Sequence, residues 1–85
     1  MANFKSRKVV IVGAGAVGSG FAFALAQAGS AEEIVLVDVN ADLAKGQALD
    51  LAHGAPFYRP VNIHAAAAPE AYRGAAVVVV TAGKA

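Results

Sequence analysis

Residues 8–28, KVVIVGAGAVGSGFAFALAQA, decide the fold of this chain. The stretch begins with a β-branched run over residues 8–12, which is typical of a buried strand in a parallel sheet. Three glycines follow within six residues, and so dense a cluster predicts a turn. From Ala16 the apolar residues recur at helical spacing as far as Gly29, which stands where a helix C′ residue belongs. The stretch therefore predicts a strand, a tight turn and a helix in direct succession.

The next segment repeats this order. Residues 33–39 (EIVLVDV) predict a second buried strand, and Asn40 can cap a second helix over residues 41–53. Apolar spacing predicts a packing face for each helix. In the first helix this face consists of Val17, Phe21, Ala24, Leu25 and Ala28, and in the second of Ala44, Ala48 and Leu51.

Two further strands complete the pattern. Residues 61–65 predict a weaker third strand, and residues 75–82 (AAVVVVTA) predict a fourth. The segment between them, residues 66–73, is compatible with a loop or with one helical turn. Strands alternating with helices predict an α/β fold with a parallel sheet. No repeat or linker divides the chain, so we expect a single domain over residues 1–85.

Chain topology is expected to be half of a doubly wound Rossmann fold, a four-stranded parallel sheet of order 3-2-1-4. In this order the chain steps the same way from strand 1 to strand 2 and from strand 2 to strand 3, so right-handed connections place both main helices on one face. The link over residues 65–74 must then cross the other face, which we expect to be largely bare. The chain is also rich in small residues, with 22 alanines and nine glycines, so its core is small. We therefore expect self-association through the uncovered face or through the edge of the fourth strand.

Composition excludes several classes of function. The 85 residues carry a net charge of +1, so the chain has no basic surface for nucleic acid or for an anionic membrane. The absence of cysteine excludes a disulfide scaffold and thiolate metal sites. No apolar run approaches the ~20 residues that a membrane helix requires. We expect a cytoplasmic protein.

Gly13, Gly15 and Gly18 form the pattern G-x-G-x-x-G between the first predicted strand and its helix. In that context the pattern is a dinucleotide-binding fingerprint, although alone it would be weak. Gly13 can form the tight turn, Gly15 lets a pyrophosphate approach the backbone, and Gly18 lets the helix lie close to the strand. Because the loop has no lysine or arginine, backbone N–H groups and the helix dipole would bind the phosphates. The alternative is a glycine turn that serves only packing.

Asp38 follows Gly18 by 20 residues and ends the second predicted strand. A carboxylate at this place accepts hydrogen bonds from both hydroxyls of an adenosine ribose. Its neighbours Val37, Val39 and Asn40 supply no cation for a 2′-phosphate, which favours NAD over NADP. Two alternatives stay open: an aspartate that only begins the next helix, and another adenosine cofactor such as FAD or S-adenosylmethionine.

Four segments together resemble the N-terminal part of the L-lactate dehydrogenase family, with the malate dehydrogenases a close second. They are KVVIVGAGAVGSGFAFALA, EEIVLVDVN, KGQALDLAHG and VVVVTAG, and the resemblance extends over about residues 8–83. It implies an NAD-binding Rossmann domain of a 2-hydroxy acid oxidoreductase. The cofactor-binding positions that it implies are Gly13, Gly15, Ala16, Val17, Gly18, Asp38, Thr81, Ala82 and Gly83.

The chain also departs from the family. Leu43 stands where the family commonly has a lysine, and residues 67–69 replace a common acidic–aromatic pair. The family's catalytic histidine and substrate-binding arginines would lie beyond residue 85, and we do not expect His53 or His64 to act as catalytic groups or metal ligands. The expected function is thus NAD binding without catalytic residues. The alternative is a minimal or engineered fragment that self-associates without a ligand.

Overall fold

The structure is a computed structural model that describes residues 7–13, 15–29, 31–54, 61–67 and 69–81. The elements in chain order are β1 (Lys8–Val12), α1 (Ala16–Ala28), β2 (Glu33–Val37), α2 (Ala41–Gly54), β3 (Asn62–Ala65), a 3₁₀ turn (Glu70–Tyr72) and β4 (Val77–Val80). β1 and α1 have their predicted bounds. β2 ends two residues earlier than predicted, and β4 is confined to its four valines. The ambiguous segment before β4 contains the 3₁₀ turn.

The four strands form one parallel sheet of order β3-β2-β1-β4, which confirms the predicted half of a doubly wound Rossmann fold. Val10 in the central strand β1 is in register with Val35 of β2 and with Val78 of β4. Because side chains alternate across a strand, the odd-numbered residues of β1 point to one face of the sheet. Alanines of α1 and α2 pack with Val9 and Ile11 in one buried cluster, so both helices cover that face.

Helix α1 packs mainly through small side chains, and the predicted packing face is wrong except at Leu25, which is half-buried against the core. Val17 is 71% exposed and Phe21 is 40% exposed, whereas the buried residues of α1 are Gly18, Ala22 and Ala26. The physical reason is the short distance between helix and sheet at Gly18, which leaves room only for small residues at the contact. In α2 the predicted face is confirmed: Ala44 and Ala48 are buried, and Leu51 is half-buried.

The second face of the sheet is covered at its centre, which corrects the expectation of a largely bare face. Val10 and Val35 have no exposed surface. They pack in one cluster with Ala71, which the 3₁₀ turn places over the sheet with 2% of its surface exposed. Ala66 and Ala75 pack against the same cluster, so the segment around the 3₁₀ turn helps to cover the two central strands.

The exposed part of the sheet is its β4 edge. Val77, Val78 and Val80 are 51%, 46% and 68% exposed, and β4 pairs only with β1 in the sheet that the structure describes. Val77 shares the helix face with its register partner Val9, while Val78 and Val80 point to the opposite face. Both faces of this edge strand therefore present apolar surface to solvent. Among the described residues, no helix has the length and hydropathy needed to cross a bilayer.

Candidate functional site

The carboxyl ends of β1, β2 and β4 meet at the glycine turn. Gly13 follows β1 with φ of 108°, a backbone conformation that L-residues with side chains rarely adopt. Its N–H donates to the carbonyl of Val37 at 2.7 Å, so the turn is held against the last residue of β2. Asp38 is the next residue after Val37, and the turn therefore brings the glycine loop beside that carboxylate.

Gly18 serves packing between α1 and β1. A Cβ atom at this position would overlap the carbonyl oxygen of Gly13 and would lie 3.1 Å from Thr81 Oγ1. The obstacle is backbone and cannot move aside like a flexible side chain. Gly18 thus has the role predicted for it, which is a close approach of the helix to the strand.

Gly15 faces open space at the N-terminus of α1. A Cβ atom built there has no atom within 4 Å, and the φ of −74° would be accessible to any residue. Gly15 is the N-cap of α1 but supplies no side-chain hydrogen bond, and the first turn contains no acidic residue. The first N–H groups of a helix have no partner inside it, and they carry the positive end of the helix dipole. The adjoining Ala16 and Val17 are exposed.

Asp38 and Asn40 form the connection from β2 to α2. Asp38 Oδ1 accepts a hydrogen bond from the backbone N–H of Asn40 at 2.9 Å. Asn40 Oδ1 in turn accepts from the N–H of Leu43 at 3.1 Å, which confirms Asn40 as the cap of α2. Because Asn40 caps the helix, Asp38 is not needed for that purpose and remains half-buried at the strand end.

A groove of about 250 Å³ opens beside Asp38, between the start of α2 and the end of β3. Its lining is mostly alanine, and it contains one cation, Lys45. The residues around it are Asp38, Ala41, Ala44, Lys45, Ala65, Ala66 and Ala67. Sequence reasoning missed Lys45, because only the immediate neighbours of Asp38 were considered. The available signal was helical spacing, since Lys45 follows Ala41 by four residues and lies on the same side of α2.

Thr81 joins the end of β4 to the glycine turn. Its N–H donates to the carbonyl of Val12 at 2.9 Å. Its hydroxyl lies 3.2 Å from the Val12 carbonyl oxygen and 3.1 Å from that of Gly13, so it can donate to either. Of the three positions implied at this loop, Ala82 and Gly83 lie outside the described residues. The structure thus brings the Thr81 hydroxyl into contact with the glycine turn and places it close to Gly18.

Neither histidine is among the residues that line the groove. His64 is on the edge strand β3, and its Nε2 is 2.7 Å from Glu33 Oε2 of β2. His53 is exposed in the last turn of α2. The described residues include no group of three or more His, Cys, Asp or Glu side chains that could hold a metal ion.

Comparison with known proteins agrees with the geometry. Residues 7–85 match the family described as lactate/malate dehydrogenase, NAD binding domain. An L-lactate dehydrogenase from Treponema denticola is 57% identical over 79 residues, which are 93% of this chain and 25% of that protein.

Solved structures show the same similarity. The minor L-lactate dehydrogenase of Enterococcus mundtii superposes with a TM-score of 0.88 at 44% identity, covering 94% of this chain and 26% of that one. The malate dehydrogenase of Picrophilus torridus gives a TM-score of 0.79 at 35% identity, with the same two coverages of 94% and 26%. The chain thus spans about a quarter of the length of these relatives. With nearly its whole length matched, the chain belongs to the family of lactate/malate dehydrogenase NAD-binding domains.

Proposed function

We propose that this chain binds NAD through its adenosine diphosphate part, with the diphosphate at the N-terminus of α1. The observation that carries the proposal is the open space in front of Gly15, at a helix end that no side chain caps. Unpaired N–H groups together with the helix dipole form an anion site without the help of a cation. The membership in a family of NAD-binding domains supports this choice of ligand over FAD or S-adenosylmethionine.

The adenosine would extend from the glycine turn toward Asp38 and the alanine-lined groove. The hydrogen bond from Gly13 to Val37 fixes the distance between the diphosphate position and the Asp38 carboxylate. One oxygen of Asp38 accepts from the N–H of Asn40, which restricts the orientation of the carboxylate that would bind the ribose. The apolar lining of the groove suits a flat aromatic base such as adenine, because it offers burial with few polar groups to desolvate.

Bound NAD would supply the hydride chemistry of a dehydrogenase, and the relatives similar to this chain are named L-lactate dehydrogenases. The part proposed for this chain is to bind and orient the cofactor. We further propose that the adenosine-side contacts alone give weak affinity, and that the protein acts in the cytoplasm.

An NMR titration of the chain with NAD tests the proposal. We expect the amide signals of Gly13, Gly15 and Gly18 to shift at millimolar NAD. Asp38→Asn removes the charge that strengthens hydrogen bonds to the ribose hydroxyls, and such a loss of about 1.5–3 kcal/mol weakens binding at least about tenfold. The result that contradicts the proposal is an absence of shifts at these glycines in a folded chain.

Asp42→Asn is the matched control for Asp38→Asn. Asp42 is an exposed acid in the first turn of α2, four residues further along the chain. The same neutralisation there leaves the net charge identical and should leave NAD affinity unchanged. If both variants lost NAD affinity equally, Asp38 would not be part of the site, and its effect would come from the change in net charge alone.

We also propose self-association through the β4 edge, in place of the sheet face. The exposure of Val77, Val78 and Val80 favours this edge, since an unpaired apolar edge strand is a template for pairing with another strand. Val80→Lys places a charge on the most exposed of the three and should dissociate the assembly. Sedimentation velocity at high micromolar concentration checks this, and a clean monomer of the unmodified chain would refute it.

A further inference from the structure

We propose that Thr81 is a positioning residue for diphosphate binding, and that its hydroxyl acts through the glycine turn. This inference rests on the proposed function, because it explains how the turn is kept in the conformation that binds phosphate. The resemblance implied only that Thr81 lies beside the cofactor. The structure turns the hydroxyl toward the backbone of residues 12 and 13.

The hydroxyl lies where three parts of the site converge. Its oxygen is 3.1 Å from the carbonyl oxygen of Gly13 and 3.2 Å from that of Val12, while the backbone N–H of Thr81 also donates to Val12. The same oxygen is 3.1 Å from the Cβ position of Gly18 in the first turn of α1. One side chain therefore contacts the end of β1 and the turn, and it lies close to the helix that follows.

The Gly13 carbonyl needs such a partner. Gly13 is buried, and its φ of 108° gives the turn a conformation with few alternatives. A buried carbonyl without a donor is destabilising, and the turn would rotate to find one. Rotation of Gly13 would change the direction of the N–H groups at the start of α1, which are the groups proposed to bind the diphosphate.

A hydroxyl is required here, and threonine's shape alone is not sufficient. Valine has nearly the same shape as threonine but would place a methyl group against two carbonyl oxygens. Serine keeps the donor and loses only a methyl group. Thr81→Val and Thr81→Ser therefore separate the hydrogen bond from packing, and Ala76→Ser is a control that adds a hydroxyl at an exposed residue just before β4.

The experiment compares two ligands, ADP and adenosine, in NMR titrations of the 85-residue chain. In Thr81→Val we expect ADP affinity to fall about fivefold, the effect of one ordinary hydrogen bond, while adenosine affinity changes less than about twofold. Thr81→Ser and Ala76→Ser should bind ADP like the unmodified chain. Equal losses for ADP and adenosine in Thr81→Val, or a failure of serine to preserve ADP affinity, would overturn the inference.

A ligand-free measurement keeps the test independent of the proposed function. The Gly13 N–H, which donates to Val37, should exchange with solvent about fivefold faster in Thr81→Val and at the original rate in Thr81→Ser. Unchanged exchange in the valine variant would refute the positioning role even if the unmodified chain bound no nucleotide. Thr81→Ala provides the same loss of the hydroxyl if the valine variant does not fold.

Discussion

Alanine substitutions at three glycines of one helical segment should separate folding from binding. Gly15, Gly18 and Gly20 lie within six residues, yet a methyl group would meet different surroundings at each. At Gly18 it overlaps the Gly13 carbonyl oxygen, whereas at Gly15 and Gly20 it meets no atom within 4 Å. The three variants add the same group to the same segment, so their differences report only on its position.

The structure gives the sign and the size of each effect. Gly18→Ala forces α1 away from β1 and should cost about 3 kcal/mol, the upper part of the usual range for overpacking. For a domain of this size that loss lowers Tm by roughly 12 °C or more. Gly15→Ala should change stability by less than about 1 kcal/mol, because the lost freedom of the unfolded chain is offset by the poorer N-cap that alanine provides. Gly20→Ala, within α1, should stabilise by about 1 kcal/mol through helix propensity.

Binding should follow a different order. Gly15→Ala fills the space proposed for the diphosphate, and NAD affinity should fall more than about tenfold, the effect of a 1.4 kcal/mol penalty. Gly20→Ala should bind NAD normally. Thermal unfolding by circular dichroism and NAD titration by NMR measure the two properties on the same samples. Normal NAD affinity in Gly15→Ala would refute the placement of the diphosphate, and an unchanged Tm in Gly18→Ala would refute the packing geometry.

Three further predictions concern the surroundings of the site. Asn40→Ala removes the cap of α2 and should lower the free energy of unfolding by about 1 kcal/mol. Thermal unfolding should show this as a fall in Tm of about 4–8 °C, and an unchanged Tm would contradict the capping role. Ala71→Asp buries a charge under the 3₁₀ turn and should unfold the chain, whereas the same change at the exposed Ala67 should leave it folded. Circular dichroism measures the folded state of both variants, and a folded Ala71→Asp variant would contradict the covered sheet face. Lys45→Ala should weaken the binding of NADP more than that of NAD, by at most about fivefold because Lys45 is exposed. Competition titrations measure both affinities, and equal effects would show that Lys45 does not contact the bound nucleotide.

The order of elements and the sheet topology could be predicted because each depends on a local pattern. β-branched runs marked the strands, and Asn40 marked the start of α2 through its own side-chain hydrogen bond. The succession of strand, glycine turn and helix indicated the strand order of a Rossmann fold, and right-handed crossovers then placed both helices on one face. The roles of Gly13 and Gly18 were also predictable, since a turn off a strand and a close helix contact both follow from the position of the glycine between strand and helix.

The packing face of α1 could not be predicted from apolar spacing. Spacing gives weight to large residues such as Val17 and Phe21, whereas the contact is set by the distance between helix and sheet at Gly18. Once that distance is short, the buried positions are those one and two turns further along, Ala22 and Ala26. Small residues at intervals of four carried the correct signal, and they have little weight on any hydropathy scale.

The groove and the covered sheet face depend on contacts between distant segments. Lys45 and Ala65 are 20 residues apart and meet only because α2 packs beside β3. Ala71 belongs to a segment with no periodicity, and its burial results from the path of the chain back toward β4. Such contacts are fixed by tertiary packing, and no local pattern in the sequence describes them.

The glycine pattern alone does not distinguish a packing turn from a phosphate site, but its three positions considered separately do. Gly13 and Gly18 are accounted for by the turn and by helix packing, whether or not a ligand binds. Gly15 has an ordinary φ and free space, so packing gives no reason for a glycine there. Open space is not sufficient either, because Gly20 shares it within α1. Gly15 differs from Gly20 because the open space in front of it lies at the N-terminus of α1, where no side chain caps the helix. This helix end also follows the turn that is hydrogen-bonded to the end of β2. The functional interpretation therefore depends on Gly15, and alanine at that position is the substitution that decides it.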